Sequence, residues 1–299
     1  MLLQTEHLTK DYGHFRALDD FNLTVSPGEI FGLLGPNGSG KSTALRLLLG
    51  FLKPTAGNAR IAGHDCWTDS VAARRHVSYL PGELRLYENM TGRQLVHFLG
   101  KLHGRRPNSD VDVLSRRLEI DLARPLVQLS SGMKRKVALL LVLVPDTPLL
   151  ILDEPTNTLD PTMRDELLAQ LRKVRQRGQA VLFSSHVLSE VEQVCDRVGI
   201  LQRGRLVHLQ ALTELRQASL VQARFPNAPW AKDEKQPFDG LLDLPGLSLR
   251  SRDRDRLTLE YAGETSSLLD WLGRHAVTDL RIEPLGLGAI YHRYHGVQA

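Results

Sequence analysis

A run of residues in this chain has the types and spacing to hold a phosphate chain: Gly35-Pro36-Asn37-Gly38-Ser39-Gly40-Lys41-Ser42-Thr43. It fits the pattern G-x-x-x-x-G-K-[ST]. Glycines let backbone N–H groups converge on phosphate oxygens, and a helix starting at the loop's end adds the positive end of its dipole. In such a loop Lys41 reaches the outer phosphates and the Ser42 hydroxyl takes a Mg²⁺ ion. A second segment carries acid, where Leu149-Leu150-Ile151-Leu152 runs into Asp153-Glu154. Carboxylates at the end of a buried strand stand where ligands bind in open α/β sheets. Asp153 is the candidate metal ligand, and Glu154 the candidate group to polarise a water for attack on a terminal phosphate. Alone, a strand ending in Asp-Glu is an ordinary helix-start cue. Behind a phosphate loop it reads as chemistry.

The surrounding pattern supplies elements to position both segments. Ile30 to Leu34 is a near-continuous apolar run, as in a strand buried on both faces. It empties into the glycine loop and then into a helical pattern, Thr43 to Leu49. Leu18 to Val25 reads as a strand before the Pro27-Gly28 turn, and Ala180 to Phe183 as a further buried strand. Ser189 to Val198 reads as an amphipathic helix, and 82 to 145 as mostly helical with breaks at Pro107 and Pro125. Strands alternating with helices predict a doubly wound α/β core with a helical insert.

After about residue 213 the composition shifts. Residues 225–240 hold three prolines without periodicity and read as a loop or linker. Beyond them Leu247 and Leu249, then Leu257, Leu259 and Tyr261, have strand spacing, with the charged run Arg250 to Arg256 as the expected hairpin tip. Leu268, Leu269 and Leu272 have helical spacing, and Leu280 and Ile282 return to strand spacing. Residues 214–299 are therefore expected to form a small second α+β domain.

Composition bounds the class. The 299 residues carry 38 Lys and Arg against 34 Asp and Glu, and 42% are apolar. Such a chain builds a sizeable core, which excludes a disordered, collagen-like or disulfide-scaffold protein. The net charge of +4 permits a nucleic-acid or lipid partner without arguing for one. The longest apolar run, Val137 to Val144, is far short of the roughly 18 residues of a membrane span. The opening MLLQTEHLTK has no basic region followed by an apolar stretch, so no secretory signal is expected. Cys66 and Cys195 sit in no metal-ligand spacing, as expected of free thiols in a reducing cytoplasm.

Nucleotide chemistry alone leaves many families open, and Leu129-Ser130-Ser131-Gly132-Met133 narrows them. By itself Ser-Ser-Gly is an ordinary helix N-cap. Between the phosphate loop and the Asp-Glu strand, however, it stands where the ATP-binding-cassette family has its signature, usually LSGGQ. Tyr12, Asn157 to Asp160 and His186 complete a resemblance to that family over residues 1–213. The resemblance implies a P-loop NTPase (RecA-like) core with an antiparallel β subdomain and a helical subdomain at about 82–145. It implies ATP and Mg²⁺ as ligands, with Tyr12 stacking on adenine. Ser130 and Gly132 contact the γ-phosphate of ATP held by a second subunit, Asp160 couples the two sites, and His186 bonds the γ-phosphate and positions the Glu154 water.

The wider segments GEIFGLLGPNGSGKST, LPGELRLYENMTG and SSHVLSEVEQVCDRVGIL resemble the ATP-binding subunits of bacterial drug and antibiotic exporters. The tail Leu285 to Tyr294 resembles the closing helix of the accessory domain of those subunits, although Gly286 and Gly288 are poor helix formers. That resemblance implies a cytoplasmic ATPase held peripherally on the inner face of the cell membrane by a polytopic permease encoded as another chain. A second cassette subunit, a copy or a paralogue, completes a head-to-tail dimer, and no nucleic-acid partner is implied. Other readings stand beside it: a soluble cassette ATPase without a membrane partner, an importer subunit, or a regulatory ATP binder. The sequence also departs from the family at Gly82, where Gln is usual, with Glu83 as a neighbour that could substitute. The departure puts metal sensing and coupling to the permease in question. The segment Leu84 to Tyr87 lies where family members meet that partner.

Overall fold

Ile30 to Leu34 is buried along its whole length, as a continuous apolar strand covered on both faces must be. The structure is a computed structural model and describes residues 1–102, 110–226, 242–275 and 277–295. The linker expected at 225–240 falls outside the described residues apart from Phe225 and Pro226, and so does Pro107. The chain divides into two compact units, Met1–Leu209 and Gln210–Ala299.

The elements run β1 (Leu3–Tyr12), β2 (Phe15–Val25), β3 (Ile30–Leu34), α1 (Lys41–Leu48), β4 (Ala56–Ile61), β5 (His64–Asp65), α2 (Ser70–Arg75) and β6 (Val77–Leu80). Then come α3 (Gly92–Leu102), α4 (Asp110–Arg117), a 3₁₀ turn (Leu126–Gln128), α5 (Ser131–Leu143), β7 (Leu149–Asp153), α6 (Pro161–Gln176), β8 (Ala180–Ser185), α7 (Leu188–Val194), β9 (Arg197–Gln202) and β10 (Arg205–Ala211). The last elements are α8 (Leu212–Gln217), β11 (Ala218–Arg224), β12 (Leu247–Asp253), β13 (Arg256–Ala262), α9 (Thr265–Arg274), β14 (Thr278–Pro284) and α10 (Leu287–His295).

In the first unit a six-stranded sheet has the order β10-β9-β3-β8-β7-β6, and a four-stranded sheet the order β2-β1-β4-β5. The pairs β3/β8, β3/β9, β7/β8 and β6/β7 are parallel, so the carboxyl ends of the central strands share one edge. One core cluster joins Phe21 and Leu23 of β2, Phe31 and Leu33 of β3, Leu45 and Leu48 of α1, and Ile151 of β7. Burying one helix against both sheets pins the start of α1, and hence the glycine loop before it. A smaller cluster of Leu95, Leu126, Leu129 and Val137 organises the helical stretch.

The helix expected over Ser189 to Val198 stops earlier, at Val194. Arg197 onward forms β9, with Phe31 opposite Arg197 and Gly32 opposite Val198, because parallel pairing with β3 outweighs the local helical periodicity. Strand β2 begins at Phe15, ahead of the expected Leu18, and α1 begins at Lys41 rather than Thr43.

The second unit is an antiparallel sheet, β12-β13-β11-β14. Its core packs Val221, Phe225, Leu257, Leu259 and Tyr261 against Leu268, Trp271 and Leu272 of α9. The buried Trp271 donates its indole N–H to Asp243 Oδ1 at 2.6 Å. The charged run expected as a hairpin tip is mostly strand: Ser251, Arg252 and Asp253 pair with Thr258, Leu257 and Arg256, and only Arg254 and Asp255 turn. Arg250 meets Glu260 across the sheet, so its charge is satisfied there (Nε to Oε2, 2.8 Å). The final helix begins at Leu287 rather than Leu285, which places Gly288 in its first turn.

Candidate nucleotide site

The loop Gly35 to Gly40 leaves buried β3 and delivers the chain to α1. Gly40 has φ 111°, and a Cβ on it would lie 2.7 Å from the Ala17 carbonyl oxygen of β2. Only glycine fits so close an approach in a left-handed conformation. Pro36, Asn37 and Gly38 form an exposed crest, while Ser39 is buried and its Oγ has no partner. Ser42 is exposed at the first turn of α1 and Thr43 half-buried beside it. The first N–H groups of that turn have no acceptor within the helix.

Lys41 is buried, and its ammonium donates to the carbonyls of Gly35 at 2.6 Å and Pro36 at 3.3 Å. Its Nζ also stands 3.7 Å from Glu154 Oε1. Burial pushes the Lys41 ammonium below its ordinary pKa, and the charges of Glu154 and Asp153 pull it partly back. The loop thus presents a cation with an acidic wall, an orphaned buried hydroxyl and a row of backbone donors. Those features fit a polyphosphate, and the Ser42 hydroxyl and the Asp153 carboxylate are hard oxygen donors of the kind that suits Mg²⁺.

The wall is the end of β7. Parallel pairing sets Asp153 opposite Ser184 of β8. Ser184 Oγ donates to Asp153 Oδ1 at 2.7 Å and accepts the Glu154 N–H at 3.1 Å. Glu154 has φ 49°, a left-handed conformation that costs a non-glycine residue about 1–3 kcal/mol. Its side chain then reaches His186, with Oε2 2.5 Å from Nδ1. Lys41, Glu154 and His186 therefore form one line of contacting side chains, with Glu154 shielded and the His186 side chain 52% exposed.

The structure places the remaining candidates elsewhere. Ser130 caps α5, its Oγ accepting the Met133 N–H, and a Cβ on Gly132 would meet only the Thr158 carbonyl oxygen, at 2.9 Å. Asp160 caps α6 through the Met163 N–H at 3.0 Å. Tyr12 ends β1 with its ring exposed and the Lys10 ammonium 5.2 Å from its centroid. The position of Gly82 does border the metal candidate, since a Cβ there would lie 3.3 Å from Asp153 Oδ2, while Glu83 is exposed.

Sequence reasoning missed two polar residues that shape this edge. One is Ser184, whose only signal is its place one residue short of the end of a buried strand. The other is Glu190, buried in α7, whose Oε2 accepts from Thr156 Oγ1 at 2.8 Å and Ser185 Oγ at 3.3 Å. It ties the segment before Asp160 to the residue before His186. A glutamate among helical polar residues announces no such role.

Residues 18–157 match the ABC transporter family model. The "Probable multidrug ABC transporter ATP-binding protein YbhF" of Escherichia coli is 36% identical over 211 residues, 69% of this chain and 36% of that protein. The "Nod factor export ATP-binding protein I" of Paraburkholderia xenovorans is 31% identical over 287 residues, covering 90% of this chain and 94% of the relative. The chain belongs to the ABC transporter family. A solved structure described as "Structure of ATP binding subunit of ABC transporter" superposes with a TM-score of 0.66 at 30% identity, covering 72% of this chain and 92% of the other. The first unit is thus an ATP-binding cassette of a family of ATPases, and this chain spans about a third of the length of YbhF. No described helix is long and apolar enough to cross a membrane.

Proposed function

We propose that this ABC cassette hydrolyses Mg-ATP to drive a separate membrane permease of an exporter. The observation that carries the chemistry is the line Lys41–Glu154–His186 at the foot of the phosphate loop. Loop N–H groups from Asn37 to Thr43 and the Lys41 ammonium bind the phosphates, and the exposed Tyr12 ring stacks on the base. Lys41 exchanges its present carbonyl partners for phosphate oxygens, which releases it toward the ligand. Ser42 and Asp153 would hold Mg²⁺, which would supply positive charge against that developing on the phosphate oxygens. Glu154 orients and polarises the attacking water, and His186, already hydrogen-bonded to it, holds that carboxylate in line. Ser130, Gly132 and Asp160 act across a head-to-tail dimer. In support of that, Ser130 caps its own helix and Gly132 faces Thr158, so neither is spent on the phosphate loop of its own chain.

The functional division adopted is a cassette of residues 1–213 and an accessory domain of 214–299. Export rather than import rests on relatives named for multidrug transport and Nod factor export. On this reading the chain sits in the cytoplasm against the inner face of the membrane, docked through the Leu84–Tyr87 segment. In that segment Tyr87 is exposed and packs edge-on to Phe98, ring centroids 5.7 Å apart. The test is Glu154→Gln in the full chain. ATP binding should persist, a dimer should accumulate with ATP, and phosphate release should fall to a small residual rate; unchanged release removes Glu154 from the reaction. Copurification of a polytopic membrane protein from detergent extracts tests the partner, and recovery of the cassette alone counts against it.

A further inference from the structure

Arg135 is the largest charged side chain in the interior of the first unit, 2% exposed. It lies on α5, the helix that begins at the signature segment. Its three nitrogens reach five backbone carbonyls and no other hydrogen-bond acceptor among the described residues. Nε donates to Pro155 O at 3.3 Å, Nη1 to Pro81 O at 2.8 Å and Gly82 O at 3.0 Å, and Nη2 to Asp153 O at 3.1 Å and to Glu154 O. A guanidinium has five N–H donors, so every one is matched. The acceptors come from two stretches far apart in sequence, the end of β6 and the end of β7.

Burying a cation is costly unless its donors are satisfied. Here the compensation comes from the carbonyls that carry Asp153, Glu154 and Pro155, with the negative charges of Asp153 and Glu154 close by. The left-handed turn at Glu154 is held from both sides: its N–H goes to Ser184 and its carbonyl to Arg135. The same fork grips Gly82 O, and a Cβ at Gly82 would stand 3.3 Å from Asp153 Oδ2. A lysine has three donors at one point and cannot bridge both stretches.

We propose that Arg135 is a positioning residue for hydrolysis, setting the Asp153–Glu154 turn from the helix that carries Ser130 and Gly132. This rests on the roles given above to Asp153 and Glu154. Through Arg135, a displacement of α5 at the subunit interface is transmitted to the backbone beneath both carboxylates. The structure therefore assigns to one buried fork the link between the signature segment and the hydrolytic edge of the same chain.

The experiment uses the full chain carrying Arg135→Ala, Arg135→Lys or Arg135→Gln. ATP binding in EDTA, which reads the phosphate loop and the base contact without the metal, is expected to stay within about twofold, while kcat falls about a hundredfold, as for a small misplacement of catalytic groups. In Arg135→Ala, guanidinium ion at low, non-denaturing concentration should recover part of kcat, which a general loss of stability would not allow. Arg135→Lys, which keeps the charge and bulk, serves should Arg135→Ala fail to fold, and should show the same loss in kcat at unchanged KM. A kcat within about twofold of the unsubstituted chain, or a loss lying wholly in KM and in metal-free ATP affinity, overturns the proposal. Glu154→Gln is the control. If it abolishes turnover while the Arg135 variants behave normally, only the positioning role falls; if it leaves turnover intact, the catalytic reading of Glu154 falls instead.

Discussion

Glu154 and His186 lie 32 residues apart in sequence, yet Oε2 of one meets Nδ1 of the other at 2.5 Å. The contact follows from register. Strands β7 and β8 pair in parallel with Asp153 opposite Ser184, so Glu154, one residue on, and His186, two residues on, emerge together at the same sheet edge. One carboxylate is thus shared between an ammonium on one side and an imidazole on the other.

This pairing predicts non-additive losses. His186→Ala should lower turnover about a hundredfold, within the range for a group that assists proton transfer, while ATP affinity changes little. Adding His186→Ala to Glu154→Gln should cost almost nothing further, because the two act as one unit. A double-mutant cycle on phosphate release checks this. Fully multiplicative losses would show that the two residues work independently.

Gly40 and Gly273 should respond in opposite directions to alanine. At Gly40 the left-handed backbone and the Ala17 carbonyl 2.7 Å from the new Cβ make Gly40→Ala destabilising by roughly 1–3 kcal/mol, with loss of ATP binding. At Gly273, in α9, a Cβ meets nothing within 4 Å, so Gly273→Ala is expected to be neutral or to stabilise by up to about 1 kcal/mol. Chemical denaturation followed alongside ATP titration separates the two effects. A Gly40→Ala protein that binds ATP normally would refute the steric argument.

Alkaline pH should weaken the fold. Burial pushes the Cys66 thiol up to about 12, and burial with the nearby Asp153 charge pushes the Tyr79 hydroxyl up to about 12. Burial moves Cys195 in the same direction. The unfolded chain gives up these protons first, near the ordinary values of 9.0 for the thiol and 10.0 for the phenol. Their contribution to stability is therefore whole below about pH 9 and is lost progressively toward pH 12, at up to about 1.4 kcal/mol per pH unit per group. Urea midpoints at pH 8, 9 and 10 should fall along that course, and Cys66→Ala should flatten the slope. Both thiols should also resist alkylation at pH 8 until denaturant is added, and rapid labelling of the native protein would contradict their burial.

The elements that hold the candidate site were legible wherever they depend on local residue order. Gly35 to Thr43 is a contiguous loop whose glycines and Lys41 act through the backbone they belong to. Leu149 to Asp153 announces a buried strand and what stands at its end. Where residues compete for pairing, local pattern fails: Val198 has helical periodicity, but β3 offered it a strand partner opposite Gly32. Arg250 to Asp253 looked like a charged tip, yet antiparallel pairing with β13 extends the strand through them and settles the Arg250 charge on Glu260.

What sequence order by itself determined is which residues are proposed to act on the nucleotide, because a phosphate loop and an acid-ended strand are each written in consecutive positions. What only the tertiary structure decided is how those groups are held. Ser184 under Asp153, Glu190 on Thr156, and Arg135 across Pro81, Gly82 and Asp153 to Pro155 are contacts over 18 to 54 residues of chain. A buried hydroxyl, carboxylate or guanidinium takes its partners from whatever backbone folding brings within hydrogen-bond reach, and no local spacing encodes that choice.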